Sequence, residues 1–306
     1  MNRTDIKLLF DRHGELRSGW RIALFMVVTI AAGALLLSPL IYLPWGLSAL
    51  ESLGVVLAAA VGTWVMTRFV NRKPFTAVGL ALRRTALKEA VAGILLGFLM
   101  MTGIFLVGVA LGMYHPAFGV LSAGAMASIL GGSLFVFAAG AMGEEMLFRG
   151  YAYQTLVQGV TVLPATLLMA SIFALAHLQN PNVTVFSVLN VALAGIVLSV
   201  AYVKTRALWL PFGIHFAWNF SQSTVYGLPT SGITSPGLVL TGSSGAAWIS
   251  GGEFGPEGGI LATIALVACC WYILKENSLL APEDIVTLDS LEDLLPPVSG
   301  ESKGTS

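Results

Sequence analysis

The stretch SILGGSLFVFAAGAMGEEMLFR, residues 128–149, is an apolar run that closes on three ionisable side chains, Glu144, Glu145 and Arg149. Its apolar part has the length and character of a membrane-spanning helix. An ionisable group at membrane depth is costly unless it is paired or lines a polar cavity. The three charged residues are therefore the first candidates for a functional site.

The composition of the whole chain supports a membrane setting. Apolar residues make up 56% and charged residues 10%, whereas soluble domains average about 45–50% and about 25%. The formal net charge is zero, so nothing predicts a nucleic-acid partner. Cys269 and Cys270 are adjacent within an apolar run, a pattern that predicts neither a disulfide framework nor a metal site.

Apolar runs of roughly 20 residues, enough for a helix to cross about 30 Å of hydrocarbon, occur eight times along the chain. They predict an all-α polytopic membrane protein with about eight transmembrane helices. The first run is too long for a cleaved signal peptide, so we count it as a span. The predicted spans are residues 20–43, 51–70, 89–112, 126–148, 161–178, 183–203, 208–228 and 258–275.

The positions of Lys and Arg test this count. With a cytoplasmic N-terminus, all 16 basic residues, Arg149 included, fall in inner segments. The outer loops near residue 51 and at 113–125, 179–182 and 229–257 contain none. The positive-inside rule expects this asymmetry for an even number of spans. We therefore predict a multi-pass integral membrane protein with both termini cytoplasmic.

Two segments outside the spans are predicted to be flexible or disordered. Residues 229–257 are rich in Gly, Ser and Thr, and residues 276–306 are acidic; neither has the apolar periodicity that offsets ordering entropy. For the first, a linker is favoured over a substrate lid. The predicted segments are a cytoplasmic N-terminal segment (1–21), N-terminal transmembrane helices (22–124), a membrane core of spans four to seven (125–228), an outer loop (229–257), the last span (258–275) and an acidic cytoplasmic tail (276–306).

Polar residues on two other spans can meet the acidic cluster. Phe173 and His177 are four apart on the fifth span, and His215 and Asn219 are four apart on the seventh. At 3.6 residues per turn, each pair shares one helix face. A hairpin of the fourth and fifth spans also places Glu144 level with His177. We expect these side chains to face one small volume.

The two glutamates are expected to differ. Glu145 and Arg149 are spaced i, i+4 with the acid first, the favourable order for a helical ion pair. Glu144 lies about 100° around the helix, outside that pair, and is the candidate general base. With His215 and Asn219 as donors to a developing oxyanion, these are the parts of an amide hydrolase. The alternative is that all of them are interhelical hydrogen-bonding residues.

Three motifs follow one another on consecutive hydrophobic spans, over about residues 125–225: Glu144-Glu145-x-x-x-Arg149, Phe173-x-x-x-His177 and His215-x-x-x-Asn219. Together they resemble the signature of the CPBP intramembrane proteases, which include type II CAAX prenyl endopeptidases and bacteriocin-processing or immunity proteins. The resemblance implies catalytic and supporting roles for these seven positions.

By this resemblance, Glu144 activates a water molecule and His177 helps to position it. His215 with Asn219 would stabilise the oxyanion. The remaining matched positions would support these groups: Glu145, Arg149 and Phe173.

Metal dependence is a separate question. Glu144, His177 and His215 could supply the three protein ligands of a catalytic zinc ion. They do not come from the His-Glu-x-x-His spacing that zinc proteases use on one helix. We therefore favour a metal-free glutamate mechanism with no cofactor, with zinc as the alternative.

The predicted function is that of an intramembrane endopeptidase acting on a membrane-associated substrate, of CAAX type or related. We expect spans four to seven to enclose a polar, cytoplasm-facing cavity. The expected partners are the lipid bilayer and a membrane-anchored peptide or protein. A non-catalytic scaffold or bacteriocin-immunity protein is one alternative, and a transporter using the carboxylates as a proton relay is another.

Overall fold

The computed structural model of the chain describes residue 10 and residues 16–38 and 47–279. These residues form a bundle of helices with one two-stranded sheet. The helices are α1 (Ser18–Leu37), α2 (Leu47–Val65), α3 (Arg84–Ala110), α4 (Ala123–Glu145), α5 (Tyr151–Val160), α6 (Val162–Ala176), α7 (Val185–Thr205), α8 (Trp209–Phe220), α9 (Ala247–Ser250) and α10 (Ile260–Lys275). Short 3₁₀ helices cover Phe75–Val78, Gly252–Phe254, Pro256–Gly258 and Asn277–Leu279.

Three helices continue into wider π-helical turns. These turns are Met66–Asn71 after α2, Met146–Gly150 between α4 and α5, and Ser221–Val225 after α8. Because the second turn links its neighbours without a break, α4 and α5 form one helix of 38 residues, Ala123–Val160.

The prediction of an all-α polytopic membrane protein is confirmed. Within the described residues, five helices are long and apolar enough to cross a membrane: Ser18–Leu37, Ala49–Asn71, Arg84–Ala110, Ala123–Val160 and Val185–Thr205. The fifth and eighth predicted spans coincide with α6 and α10, which are apolar but shorter. Residues 39–43 of the first predicted span, 1–9 and 11–15 of the N-terminal segment and 280–306 of the predicted tail lie outside the described residues.

Glycines bring the helices into backbone contact. Gly93 on α3 and Gly213 on α8 face each other, and a Cβ on either would collide with the carbonyl oxygen of a residue on the other helix. A Cβ on Gly143 would lie 2.7 Å from the backbone nitrogen of Val56 on α2. Small residues allow such close approach between membrane helices. Gly143 thereby places α2 directly beside the acidic pair.

One end of the bundle carries most of the described basic residues, and we call it the basic end. It is held together by hydrogen bonds between segments that are distant in sequence. The Gln154 side chain donates to the Ala77 carbonyl oxygen at 3.0 Å, and the Leu208 N–H donates to the Gly79 carbonyl oxygen at 2.9 Å. The basic end comprises residues 68–84, 151–161 and 204–209.

The opposite end is built from three other segments. Strand β1 (Tyr114–Ala117) pairs antiparallel with β2 (Leu240–Ser243). The Asn190 amide on α7 donates to the carbonyl oxygens of Glu257 (2.7 Å) and Gly259 (2.9 Å). The opposite end comprises residues 111–122, 177–184 and 226–259.

The prediction that residues 229–257 are flexible or disordered is wrong. The segment contains β2 and α9, and it buries Ser250 and Phe254. Its glycines make tight turns, with φ of 86° at Gly251 and 98° at Gly255, a backbone region that glycine enters without steric cost. Composition alone does not distinguish such turns from a flexible linker.

Candidate active site

A cavity of about 490 Å³ lies among α2, α4, α6, α7 and α8. The structure brings the four residues predicted to be catalytic to its wall: Glu144, His177, His215 and Asn219. Phe173 lines the cavity as well. Glu145 and Arg149 lie behind this wall, with no exposed surface. The predicted side chains therefore share one volume, and their roles stay predictions.

Glu145 and Arg149 form the expected ion pair. Arg149 Nη1 donates to Glu145 Oε1 at 3.0 Å, and Nη2 donates to the Gly195 carbonyl oxygen at 3.3 Å. The guanidinium also lies 4.4 Å from the centre of the Phe173 ring, a cation–π contact that is strongest away from water. Arg149 is thus a paired interior charge within the continuous helix of α4 and α5; its assignment to the cytoplasmic side stays a prediction.

His215 links the two glutamates. Its Nδ1 lies 2.8 Å from Glu145 Oε1, and its Nε2 lies 3.8 Å from Glu144 Oε2. Since a carboxylate only accepts, Nδ1–H is the donor to Glu145. The longer distance exceeds a hydrogen bond. Glu145 therefore binds Arg149 and orients His215 at once.

His177 is held from its own helix. Its Nδ1 donates to the Phe173 carbonyl oxygen at 2.7 Å, which leaves the lone pair of a neutral ring on Nε2. The Phe173 ring lies 4.7 Å from the His177 ring and 6.1 Å, edge to face, from the His215 ring. Phe173 thus packs against both imidazoles and fixes their orientation.

The two neighbouring glutamates occupy different environments. The Glu144 side chain is 32% exposed, whereas the Glu145 side chain is fully buried. The Glu144 Oε2 atom itself is buried and has no hydrogen-bond partner among the described residues. Adjacent carboxylates in unlike surroundings can take different chemical roles. Glu144 is the one that a substrate or water in the cavity can reach.

Two of the three π-helical turns adjoin this site. The turn Met146–Gly150 begins directly after Glu145, and the turn Ser221–Val225 begins two residues after Asn219. Such turns interrupt α-helical register and are frequent at functional sites. No pattern in the sequence indicated them.

Glu257 also lines the cavity, and sequence reasoning missed it. Its Oε2 accepts hydrogen bonds from the Ser231 N–H (2.5 Å) and hydroxyl (2.9 Å). Burial raises the pKa of the Glu257 carboxyl, and the bonds from Ser231 partly offset this. An acid just before the last apolar run, in a chain with so few charges, was the available signal.

The predicted zinc ligands do not form a metal cluster. Within residues 16–38 and 47–279, no group of three or more His, Cys, Asp or Glu side chains lies close enough to hold a metal ion. Catalytic zinc needs three such ligands around an open position. Glu144, His177 and His215 are therefore not arranged as the ligands of a zinc ion.

The cavity wall includes Asn180, Ser231 and Glu257 from the opposite end of the bundle, and among the described residues that line it none belongs to the basic end. Helix α6 ends at Ala176, directly before His177. That the cavity faces the cytoplasm stays a prediction.

Comparisons with known proteins agree with the predicted resemblance. Residues 127–221, which include all seven predicted site residues, match a family model described as Type II CAAX prenyl endopeptidase Rce1-like. Over 185 residues, the chain is 24% identical to a Bacillus subtilis (strain 168) protein named Uncharacterized protein YyaK. That alignment covers 56% of this chain and 62% of the relative, less than two thirds of the relative's length. No solved structure matches the chain significantly.

Proposed function

We propose that this Rce1-like chain is an intramembrane endopeptidase that hydrolyses a peptide bond of a membrane-anchored substrate. The observation that carries the proposal is the convergence of the partly exposed Glu144 with His177, His215 and Asn219 on one cavity. The family match to residues 127–221 supports the same class of reaction.

Glu144 acts as the general base. A water molecule in the cavity can reach the exposed part of the Glu144 side chain, and His177 Nε2 offers a second acceptor in the same cavity. As the water oxygen attacks the scissile carbonyl carbon, its proton passes to Glu144. A carboxylate in reach of the nucleophile is the geometric requirement for general-base catalysis.

His215 and Asn219 stabilise the oxyanion that this attack creates. Because His215 Nδ1–H already bonds to Glu145, Nε2 carries a hydrogen only in the protonated ring, which is the form that donates. The Asn219 amide lies one helical turn away and supplies a second donor. Donors fixed before the reaction stabilise developing charge without reorganisation.

The tetrahedral intermediate then collapses with cleavage of its C–N bond. Glu144 returns its proton to the leaving nitrogen, so that one product gains a carboxyl terminus and the other an amino terminus. The water supplies the oxygen of the new carboxylate. The reaction needs no oxidant, reductant or cofactor, and Glu145 with Arg149 holds His215 in place throughout.

A comparison of membrane-protein termini tests this function. Cells that produce the wild-type chain are compared with cells that produce Glu144→Gln at the same level, and protein N- and C-termini are identified by mass spectrometry. We expect termini that are present only with the wild-type chain. If both strains have identical termini while the wild-type protein still supports its cellular phenotype, a non-catalytic scaffold replaces the peptidase.

A further inference from the structure

Glu257 is a carboxyl group on the cavity wall that the proposed mechanism does not use. It lies on the short 3₁₀ helix Pro256–Gly258, outside the spans that carry the predicted catalytic residues. Among residues 254–259 it alone keeps exposed surface, whereas its five neighbours in that range are buried. A carboxyl that only fastened this segment to the bundle would need no access to the cavity.

The Glu257 carboxyl is held by an unusual turn. Its Oε2 accepts hydrogen bonds from the N–H and the hydroxyl of Ser231. Ser231 has a φ of 48°, in the left-handed region that residues other than Gly, Asn and Asp enter only rarely. Two backbone hydrogen bonds between Thr230 and Ile233, each 2.9 Å, close the turn around it. Such strain is concentrated at functional sites, and here it directs two donors at one carboxylate oxygen.

The main chain of Glu257 is fixed as well. The Asn190 amide donates to the carbonyl oxygens of Glu257 and Gly259. The Thr263 hydroxyl in turn donates to Asn190 Oδ1 at 2.7 Å. Both the backbone and the carboxyl of Glu257 are therefore in place before a substrate binds, which lowers the entropy cost of binding.

Glu257 and His177 interact electrostatically across the same cavity. Burial is the largest influence on the pKa of the Glu257 carboxyl and raises it, and the bonds from Ser231 and the charge of His177 act in the opposite direction. Both side chains line the cavity. A substrate group bound to Glu257 would therefore lie near the histidine that is proposed to position the attacking water.

The chemistry of a carboxyl group defines what Glu257 can bind. Ionised or neutral, it retains an oxygen that accepts hydrogen bonds, so its partner is a hydrogen-bond donor. A peptide that enters the cavity brings backbone N–H groups, which lose water there and need an acceptor. Basic side chains carry N–H donors of the same kind.

We propose that Glu257 is a substrate-binding residue, whose carboxyl accepts a hydrogen bond from an N–H group of the substrate next to the scissile bond. This role rests on the proposed peptidase function. The N–H group belongs either to the substrate backbone or to a basic side chain, and the experiment distinguishes these two sources.

Steady-state kinetics of the protein in liposomes tests this role, with membrane-anchored reporter peptides as substrates. Glu257→Ala should raise KM about tenfold and leave kcat nearly unchanged, because a lost hydrogen bond to the substrate weakens the bound ground state and the transition state alike. Glu253→Ala is the matched control, since Glu253 belongs to the same segment but is exposed and does not line the cavity. It should leave both constants unchanged. An unchanged KM in Glu257→Ala, or a fall in kcat alone, would overturn the proposal.

Modified reporters identify the source of the N–H group. In one reporter a backbone amide next to the scissile bond is N-methylated, and in another a basic residue there is replaced by Gln. One of these changes should raise KM for the wild-type protein and cause no further rise in Glu257→Ala, as expected when both changes remove the same contact. A purely structural role of Glu257 would make its effect additive with both reporter changes, and that result would overturn the proposal.

A second variant covers the case in which Glu257→Ala does not fold, as judged by thermal unfolding. Ser231→Ala removes the hydroxyl bond to the carboxyl and keeps the N–H bond, so it should raise KM by a smaller factor; an unchanged KM would then overturn the proposal. If the wild-type protein cleaves none of the reporters, the peptidase function is wrong and the role of Glu257 falls with it. If the wild-type protein cleaves them and Glu257→Ala has the same KM, only the role of Glu257 is wrong.

Discussion

Replacing Glu145 by Gln should destabilise the fold strongly, because it removes one charge from a fully buried pair. Gln keeps an oxygen for the bonds from Arg149 Nη1 and His215 Nδ1, now at 3.0 and 2.8 Å, so that little is lost except the charge. Removal of one partner from a buried ion pair costs about 3–5 kcal/mol, since the other charge remains unpaired. Removing that second charge as well, in Glu145→Gln with Arg149→Met, should recover much of the loss.

Glu144→Gln is the matched control, since this side chain is partly exposed in the cavity and forms no pair with Arg149. It should change the free energy of unfolding by less than about 0.5 kcal/mol, as for a substitution that breaks no buried contact. Unfolding can be measured in mixed micelles with increasing SDS, by the thiol reactivity of Cys269, which is only 4% exposed in the folded chain. Equal stability of the two variants would refute the division of roles between the glutamates.

Three further predictions concern the metal, the packing and pH. Active purified protein should contain far less than one zinc ion per chain and keep its activity after chelation; stoichiometric zinc whose removal and return switch activity off and on would contradict the metal-free mechanism. Gly143→Ala should destabilise the chain, because its Cβ would lie 2.7 Å from the Val56 backbone nitrogen, whereas Gly131→Ala, with open space around it, should not; thermal unfolding of both variants gives the comparison. Because the pKa of Glu257 is raised in the folded protein, folding stability should fall as pH rises from the ordinary carboxyl range toward that pKa. Glu257→Gln should flatten this fall, and an unchanged pH profile would show that Glu257 ionises freely.

The helices were largely predictable because the bilayer dictates their length and polarity. The sixth predicted span, 183–203, corresponds to Val185–Thr205. The convergence of Glu144, His177 and His215 followed from helical spacing and one hairpin. Polar side chains on membrane helices have few hydrogen-bond partners other than polar side chains on neighbouring helices. The i, i+4 spacing within each helix therefore helped to predict which side chains meet.

Two features of the structure depend on tertiary contacts and could not be predicted from the sequence: the burial of Arg149 and the order of residues 229–257. A charged residue after an apolar run usually marks the membrane boundary, and Arg149 was assigned accordingly. The sequence did not show that Arg149 is also fully buried and lies within one continuous helix, paired with Glu145. Likewise, the order of residues 229–257 depends on remote partners such as Asn190, which binds the carbonyl oxygens of Glu257 and Gly259. No local pattern encodes such contacts.

The side from which a substrate enters the cavity stays a prediction. Hairpin counting placed Glu144 level with His177, and the structure continues the helix to Val160 and ends α6 beside His177.

The most direct test of peptidase function uses purified protein in liposomes with a membrane-anchored reporter peptide that the wild-type chain cleaves. New carboxyl and amino termini are followed by mass spectrometry for wild-type protein and for Glu144→Gln of equal thermal stability. The account predicts one defined cleavage by the wild-type protein and none by Glu144→Gln. Cleavage by Glu144→Gln at the wild-type rate would contradict the assignment of Glu144 as the base that activates water.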